Sequence, residues 1–458
     1  MVFPTHIFKA YDIRGLVDTE LSPELAYAIA GAFGSFLRTK KLIEPGQKVV
    51  VGYDMRPTSL PFSREVTRGL TEQGIDVVEI GLVSTPLFNF TCAHYPEHAG
   101  GIMITASHNP AEYNGFKLTL GNGLPIGKNT GMDEIRDLAQ AGHFTVVENN
   151  GVVTQKDPYP DYLATLRSLV DFSTIKPLKI VVDAGNGMAK VSLPRILQEL
   201  PVEVEYLYLE PDGNFPHHEA NPLKIETLHD LQRTVQEKKS DFGFALDGDA
   251  DRIGLVDDTG AVIDASFVGA LVGLEVLKKY PGAHMLYDLR SSKIVPEVWE
   301  SHGATTEKCM VGHALIKKIM HDQGALFASE LSLHLYFGEL HNLECSDLAL
   351  LYILQVVSRE QKPLSQIIKP YKKYTHSGEI NFAIHDKAAA LSRIKDTYAE
   401  EAEETLEIDG LWYNFSWGWV SIRTSNTEPV IRLNLETANS DLTKEKVAEF
   451  SKILQEFV

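Results

Sequence analysis

The run DGDADR at residues 247–252 carries three carboxylates at alternate positions, Asp247, Asp249 and Asp251. In an extended segment that spacing puts all three on one side. Three anions brought together are unfavourable unless a cation sits among them. Hard oxygen ligands of this kind suit Mg²⁺, which keeps room in its shell for water or a phosphate oxygen. An EF-hand loop has similar spacing, but it needs glycine at its sixth position and glutamate at its twelfth. This chain has Arg252 and Asp258 there, and the flanks FGFAL and IGLV read as strands. An acidic surface turn is the plainer alternative.

A second run, TASHNP at 105–110 followed by YNGFK at 113–117, places Ser107 just after the apolar GIMI. Strand ends are where open α/β sheets carry ligand chemistry. A serine hydroxyl needs a neighbouring base or cation to act as a nucleophile. His108 adjoins it and Lys117 lies ten residues on. Asn109-Pro110 forces a turn that would present the hydroxyl. A polar loop capping a helix accounts for the same residues without chemistry.

Further runs offer donors for anions. RTSNTEP at 423–429 sets Arg423 beside Ser425, Asn426 and Thr427, a fork of donors that fits a phosphate dianion. Arg432 either assists or faces solvent, and a capped turn between strands is the alternative. AYDIRG at 10–15 holds Arg14 in a Gly-ended loop. YDLRSS supplies Arg290, and VGHALIKK puts Gly312 and His313 at a helix start, a position suited to anions. In ASELSLHLYF, alternation puts Glu330, Ser332 and His334 on one face of an extended segment. Such a face can pair with sugar hydroxyls, or it can be an ordinary half-buried strand.

The elements around these residues follow one pattern. Ser22 and Pro23 open a helical stretch through LSPELAYAIAGAFGSFLRTKKL. KVVVGYDMRP then reads as a buried strand running into a loop, and SREVTRGLTEQG as a helix. IDVVEIGLVSTP reads as the next strand and its exit, and GIMITASHNP as a short strand ending in a polar loop. The cycle restarts at LKIVVDAGNGMAKVSLPRILQEL, read as strand, Gly-bearing loop and helix. A third cycle begins at SFVGALVGLEVLKK. Each cycle places a polar motif after an apolar strand, and such alternation implies a mostly parallel sheet. From about Tyr371 the pattern changes to a small α+β unit, and the basic stretch at 363–375 reads as the junction.

The chain has 458 residues, enough for about three or four domains. Its net charge of −19 argues against general nucleic-acid or membrane-surface binding. It also means that an anionic substrate needs cations gathered locally. The three cysteines, Cys92, Cys309 and Cys345, are scattered and odd in number, which excludes a disulfide framework or zinc ribbon. With no apolar run of about 18 residues and no signal-like start, a cytoplasmic protein is expected.

Together, AYDIRG, TASHNP, DGDADR and RTSNTEP, in that order, resemble the α-D-phosphohexomutase family, in particular its phosphomannomutase/phosphoglucomutase branch. The resemblance spans nearly the whole chain. It implies an α/β fold of three similar mixed α/β domains plus a C-terminal small α+β domain around a central cleft. The expected units are residues 1–150 with a phosphoserine loop, 151–256 with a metal loop, 257–368 with a sugar-recognition loop and 369–458 with a phosphate-binding loop. Ser107 is then the phosphoserine, joining Asp247, Asp249 and Asp251 around Mg²⁺. Arg14, Lys117 and Arg252 surround the transferring phosphoryl group, with Lys117 or His108 assisting proton transfer. Glu330 and Ser332 hold sugar hydroxyls, and Arg423, Ser425, Asn426 and Thr427 grip the distal phosphate. Tyr11, Arg290, Gly312, His313, His334 and Arg432 complete the substrate contacts.

The implied activity interconverts hexose 1-phosphate and hexose 6-phosphate, on mannose and/or glucose, through phosphoserine and a hexose 1,6-bisphosphate that also acts as activator. A phosphoglucosamine-type mutase and a non-catalytic phosphosugar-binding relative are the alternatives. The expected partner is a small phosphosugar, with no nucleic acid or membrane, on a monomer or weak homodimer. One segment departs from the family. Its sugar loop usually reads Gly-Glu-Met-Ser-Gly-His, whereas Ser329 and Leu333 replace both glycines here. Glycine supplies positive φ or close approach to a ligand, and Leu333 does neither cheaply.

Overall fold

The computed structural model describes residues 3–425 and 430–458, so Asn426 and Thr427 lie outside the described residues. The apolar runs become strands, but the second and third sheets are half antiparallel and not the mostly parallel sheets expected, because their polar loops turn the chain straight back. The first sheet contains β1 (Ile13–Leu16), β2 (Lys48–Tyr53), β3 (Asp76–Leu82), β4 (His98–Ile104), β5 (Tyr113–Leu120) and β6 (Val153–Gln155). The second contains β7 (Leu178–Asp183), β8 (Val202–Leu207), β9 (Phe242–Leu246), β10 (Ile253–Asp257) and β11 (Val262–Ile263). The third contains β12 (His284–Asp288), β13 (Thr305–Cys309), β14 (Phe327–Ser329), β15 (Leu335–Phe337) and β16 (Leu343–Glu344). The fourth contains β17 (Thr375–His376), β18 (Ile380–Ala383), β19 (Glu404–Leu406), β20 (Leu411–Phe415), β21 (Gly418–Thr424) and β22 (Val430–Thr437), and its pairs are antiparallel.

The first three sheets repeat one topology. Their orders are β3-β2-β4-β5-β1, β8-β7-β9-β10-β11 and β13-β12-β14-β15-β16. In each, the first three strands are parallel and the last two pairings are antiparallel. In the first sheet the last place is filled from the chain's start, so residues 13–15 of AYDIRG belong to a strand and only residues 10–12 lie in a loop. Arg14 lies on β1, opposite Gly115 of β5. A Cβ on Gly115 would sit 2.1 Å from the Ile13 carbonyl oxygen, so glycine is what admits β1. Strands β6 and β11 join the first and second sheets, so those units extend past the expected boundaries at 150 and 256.

Local signals held where they were strong. Ser22 accepts from the Leu25 N–H, and Pro23 opens the helix Pro23–Thr39. The helix expected after the Gly-bearing loop at 185–187 is instead a 3₁₀ turn, Met188–Val191, followed by the short helix Leu193–Leu197. Pro194 is tolerated only in a first turn, so the helix restarts around it. No helix among the described residues is long and apolar enough to cross a membrane.

One hydrophobic core runs from Phe88 and Phe90 through Phe242 and Phe244 to Leu350 and Tyr352, and so joins the first three units. The fourth unit has its own core around Phe382, Val420, Leu433 and Phe450. It meets the third through a small cluster of Leu289, Trp412 and Trp419.

A buried carboxyl marks the seam between the second and third units. Asp347, in the first turn of the helix Ser346–Glu360, accepts from the Tyr162 hydroxyl at 2.8 Å and from Ser192 at 3.1 Å. Burial pushes its pKa up to about 6, against the pull of those two donors. An acid raised in the folded state binds its proton there before the unfolded chain does. Its stabilising contribution is therefore full below about pH 4 and is lost as pH rises to about 6. Asp347→Asn is expected to remove that part of the stability–pH curve, a change of up to about 3 kcal/mol. Urea midpoints across this range check it, and an unaltered slope would count against the assignment.

Candidate active site

The three motif loops occupy one topological position. Residues 105–112 join β4 to β5, 247–252 join β9 to β10, and 330–334 join β14 to β15. Each loop turns through a non-glycine residue in the left-handed region: Ser107 at φ 51°, Ala250 at 60° and Leu333 at 72°. The Ala250 N–H donates to the Asp247 carbonyl at 3.1 Å, and Leu333 N–H to the Glu330 carbonyl at 3.0 Å. A side chain in this conformation costs roughly 1–2 kcal/mol, which the surrounding structure must hold.

The three aspartates therefore converge through a tight turn and not, as expected, along one side of an extended strand. Asp247 Oδ1 accepts from the backbone N–H groups of Asp251 and Arg252, both at 3.1 Å. Ligand oxygens of Asp247, Asp249 and Asp251 lie within 4.8 Å of one another, and all three residues are buried. Lys117 Nζ donates to Asp249 Oδ2 at 2.7 Å and Asp251 Oδ2 at 2.6 Å. Thr85 adds its hydroxyl to Asp249 Oδ2 at 2.6 Å. Asp249 Oδ1 is left buried without a hydrogen-bond partner. An orphaned carboxylate oxygen beside two further carboxylates is a donor set that fits a hard divalent cation.

Ser107 stands at this cluster. Its hydroxyl donates to Asp247 Oδ2 at 2.9 Å, and His108 Nδ1 lies 3.1 Å from Ser107 Oγ itself. Burial, with Asp251 and Asp249 close by, raises the Asp247 pKa well above the ordinary range. Burial would raise Asp251 too, but Lys117 and His334 outweigh it and hold that carboxylate ionised. Burial would lower Lys117, yet its two aspartate partners raise it, so it stays charged. Burial and the charges of Arg252 and Arg14 push His108 well below its usual range, leaving a neutral ring. Arg14 Nη1 donates to Asn109 Oδ1 at 2.7 Å, and Arg252 Nε lies 3.7 Å from Asp247 Oδ2.

The third loop is wired into the second. Residues 330–334 form a turn, not the expected extended face, yet their side chains still meet. Glu330 accepts from the Gly312 N–H at 3.1 Å and the Tyr336 hydroxyl at 2.9 Å, and stands 3.2 Å from His334 Nδ1. Ser332 Oγ lies 3.0 Å from the same ring nitrogen, and His334 Nε2 is 3.2 Å from Asp251 Oδ1. Burial would lower His334, but Asp251 and Glu330 bring its pKa up to about 9. The anion at the start of the helix His313–Gln323 is thus Glu330's own carboxylate. Gly312 has φ 127°, and a Cβ there would lie 2.5 Å from the Tyr11 ring, whose hydroxyl donates to the Val311 carbonyl. His313 packs edge-on against Tyr11, and burial holds its imidazole well below the usual range.

In the fourth unit, Arg423 Nε donates to Asp409 Oδ2 at 3.1 Å, and Ser425 N–H donates to the Val430 carbonyl at 3.0 Å. Arg432 does not simply face solvent: its Nη1 is 3.1 Å from Glu379 Oε1.

One residue absent from the sequence-based set organises the first loop. Buried Arg56 donates to the carbonyls of Ser107 (3.0 Å), Asn109 (2.5 Å), Pro110 (2.7 Å) and Tyr113 (2.8 Å). It springs from an Asx turn in which the Arg56 N–H donates to Asp54 Oδ1 at 3.0 Å. Asp183 and Asp288 make the same turn at the ends of β7 and β12, with Gly185 N–H and Arg290 N–H as donors. The signal was present in sequence: YDMR at 53–56 echoes YDLR at 287–290.

Comparison with known proteins gives one result throughout. The four models of the phosphoglucomutase/phosphomannomutase family match the chain in order. Alpha/beta/alpha domains I, II and III match residues 5–146, 157–260 and 264–374, and the C-terminal domain matches 379–453. A phosphomannomutase of Methanocaldococcus jannaschii is 37% identical over 452 residues, covering 98% of this chain and 97% of the relative. A protein of Xanthomonas campestris named as phosphohexose mutases is 37% identical over 450 residues, covering 98% and 99%. The crystal structure of a phosphoglucomutase/phosphomannomutase family protein from Burkholderia thailandensis superposes with a TM-score of 0.89 at 29% identity, covering 99% of this chain and 97% of that one.

Proposed function

The chain belongs to the phosphoglucomutase/phosphomannomutase family, and from that membership we propose that it is a hexose-phosphate mutase whose nucleophile is Ser107. The observation that carries the assignment is the Ser107 hydroxyl at 2.9 Å from a buried cluster of three aspartates. Asp247, Asp249 and Asp251, with the Ser107 oxygen, would hold Mg²⁺, which neutralises the charge gathering on a transferring phosphoryl group.

The chain's own residues do the rest. Phosphorylated Ser107 passes its phosphoryl group to the free hydroxyl of a hexose monophosphate. The bond from phosphorus to the serine oxygen breaks as the bond to the sugar oxygen forms. The sugar's proton passes to the neutral His108 ring and on to Ser107 Oγ. The bisphosphate then turns round, and the reverse step returns its other phosphate to Ser107. Lys117, held charged by its aspartates, and the flanking Arg14 and Arg252 supply fixed positive charge. Arg423, Arg432 and Arg290 take the distal phosphate, with Glu330 and Ser332 at the sugar hydroxyls. A hexose 1,6-bisphosphate that dissociates early would reload the serine as activator.

Rates on mannose 1-phosphate, glucose 1-phosphate and glucosamine 1-phosphate, with Mg²⁺ and the matched bisphosphate, test this, together with mass spectrometry of Ser107. Conversion of the mannose or glucose ester and a phosphate on Ser107 are expected. No conversion and an unmodified serine would refute the reading. Leu333→Gly belongs in the same panel, because Leu333 bears at φ 72° a conformation that glycine takes freely. Relief of roughly 1–2 kcal/mol of backbone strain offsets much of the lost burial. The expected result is a near-unchanged folding midpoint and a shift of about tenfold in the ratio of rates between sugars.

A further inference from the structure

Four charged side chains meet where the third unit faces the fourth. Arg290 comes from the loop after β12, Arg423 from β21, Arg432 from β22, and Glu379 from just before β18. Glu379 Oε1 is 3.1 Å from Arg432 Nη1. Its Oε2 is 3.6 Å from Arg290 Nη1 and 3.7 Å from Arg423 Nη1, both beyond hydrogen-bond reach. Arg423 Nη1 is buried without a hydrogen-bond partner. Asp288 and Asp409 hold Arg290 and Arg423 by their other edges, at 2.6 Å and 3.1 Å. The guanidiniums are thus fixed, with 7% and 4% of their side chains exposed, whereas the Glu379 side chain is 26% exposed. Burial and the neighbouring Arg290 lower the Arg423 guanidinium, as expected where like charges are crowded. Asp288 and Glu330 on Arg290, and Asp409 on Arg423, leave the Nη1 edges of these two arginines to Glu379, which meets them at 3.6 Å and 3.7 Å, and a dianion with three free oxygens would fill those edges better.

We propose that Glu379 is a resident stand-in for the substrate's distal phosphate, holding the three arginines of two units together until the phosphate displaces it. The proposal rests on the reading of the Arg423 cluster as the distal-phosphate site. Without Glu379 the arginines would repel one another and draw the two units apart. With it they are assembled in advance, but the incoming phosphate must exchange places with a carboxylate. That exchange suits a site that has to release one phosphate of a bisphosphate and accept the other. It also ties the contact between the third and fourth units to anion occupancy, since Arg290 and Glu379 lie on opposite sides of it.

Glu379→Gln keeps the shape and removes the charge. The full chain is assayed with Mg²⁺ and the bisphosphate activator for KM on hexose 1-phosphate and for inhibition by inorganic phosphate. The expected result is that both constants fall by about threefold to tenfold. Glu379→Asp, which retains the charge but draws it back, should lie between. Arg423→Met should raise both constants. If Arg423→Met weakens phosphate binding but neither Glu379 variant tightens it, the stand-in role is wrong while the phosphate site remains. If Arg423→Met changes neither constant, the phosphate-site reading itself falls. Circular dichroism of each variant confirms folding, and should Glu379→Gln fail to fold, Glu379→Asp decides alone by the same inhibition constant.

Discussion

Ser107→Ala is expected to lose at least about a thousandfold in kcat, equivalent to roughly 4 kcal/mol of barrier, while folding as the parent does. The chemistry allows no substitute. Among the described residues, this is the hydroxyl that reaches the aspartate cluster from the loop after β4, at 2.9 Å from Asp247. Its backbone conformation, φ 51°, is held by Arg56 through the Ser107 carbonyl and by the neighbouring carbonyls that Arg56 also grips. Alanine pays nearly the same left-handed cost as serine, and the lost hydrogen bond is worth about 1 kcal/mol. A small change in thermal midpoint should therefore accompany the near-complete loss of turnover. The assay is conversion of mannose 1-phosphate to mannose 6-phosphate with Mg²⁺ and a bisphosphate activator. Activity within about tenfold of the parent would remove Ser107 from the reaction.

Asp249→Asn should reduce turnover by about 100-fold and weaken Mg²⁺ half-saturation by at least about tenfold. Asp249 Oδ2 already accepts from Lys117 and Thr85, and Oδ1 is the buried oxygen with no partner. An amide must turn its NH₂ either toward those two donors or into the open coordination position. Both orientations spoil the donor set. Stability separates this from simple damage. Removing one of three crowded carboxylates relieves repulsion, so without Mg²⁺ the variant should melt no lower than the parent. Added Mg²⁺ should raise the parent's midpoint and leave the variant's nearly unmoved, because only the parent gains by binding. An equal Mg²⁺ shift in both proteins would show that the aspartates are not the metal site.

The positions of the polar motifs, each following an apolar strand, were legible in the residues themselves. Carboxylate spacing in DGDADR, the serine after GIMI, and the cap at Ser22 all act within a few residues, where sequence and structure are directly coupled. The same holds for the repeat of apolar strand and polar loop. Its three copies share one sheet topology, three parallel strands followed by two antiparallel pairings. The conformation of the loops was less legible, since alternation predicts an extended face whereas Ala250 and Leu333 turn the chain left-handed. Arg14 was placed in a loop because the four residues of β1 carry too little periodicity to announce a strand, and only pairing with β5 makes them one.

What the tertiary structure alone decided is which loops meet. Ser107 and Asp247 are 140 residues apart, and Lys117 and Asp249 are 132 apart. Arg56 gains its role from carbonyls more than fifty residues away, and Glu379 from arginines on two different units. Local pattern fixes which face of an element is apolar and where a polar loop follows it. It does not fix which loop another loop will face, because that depends on the packing of whole units around the core they share.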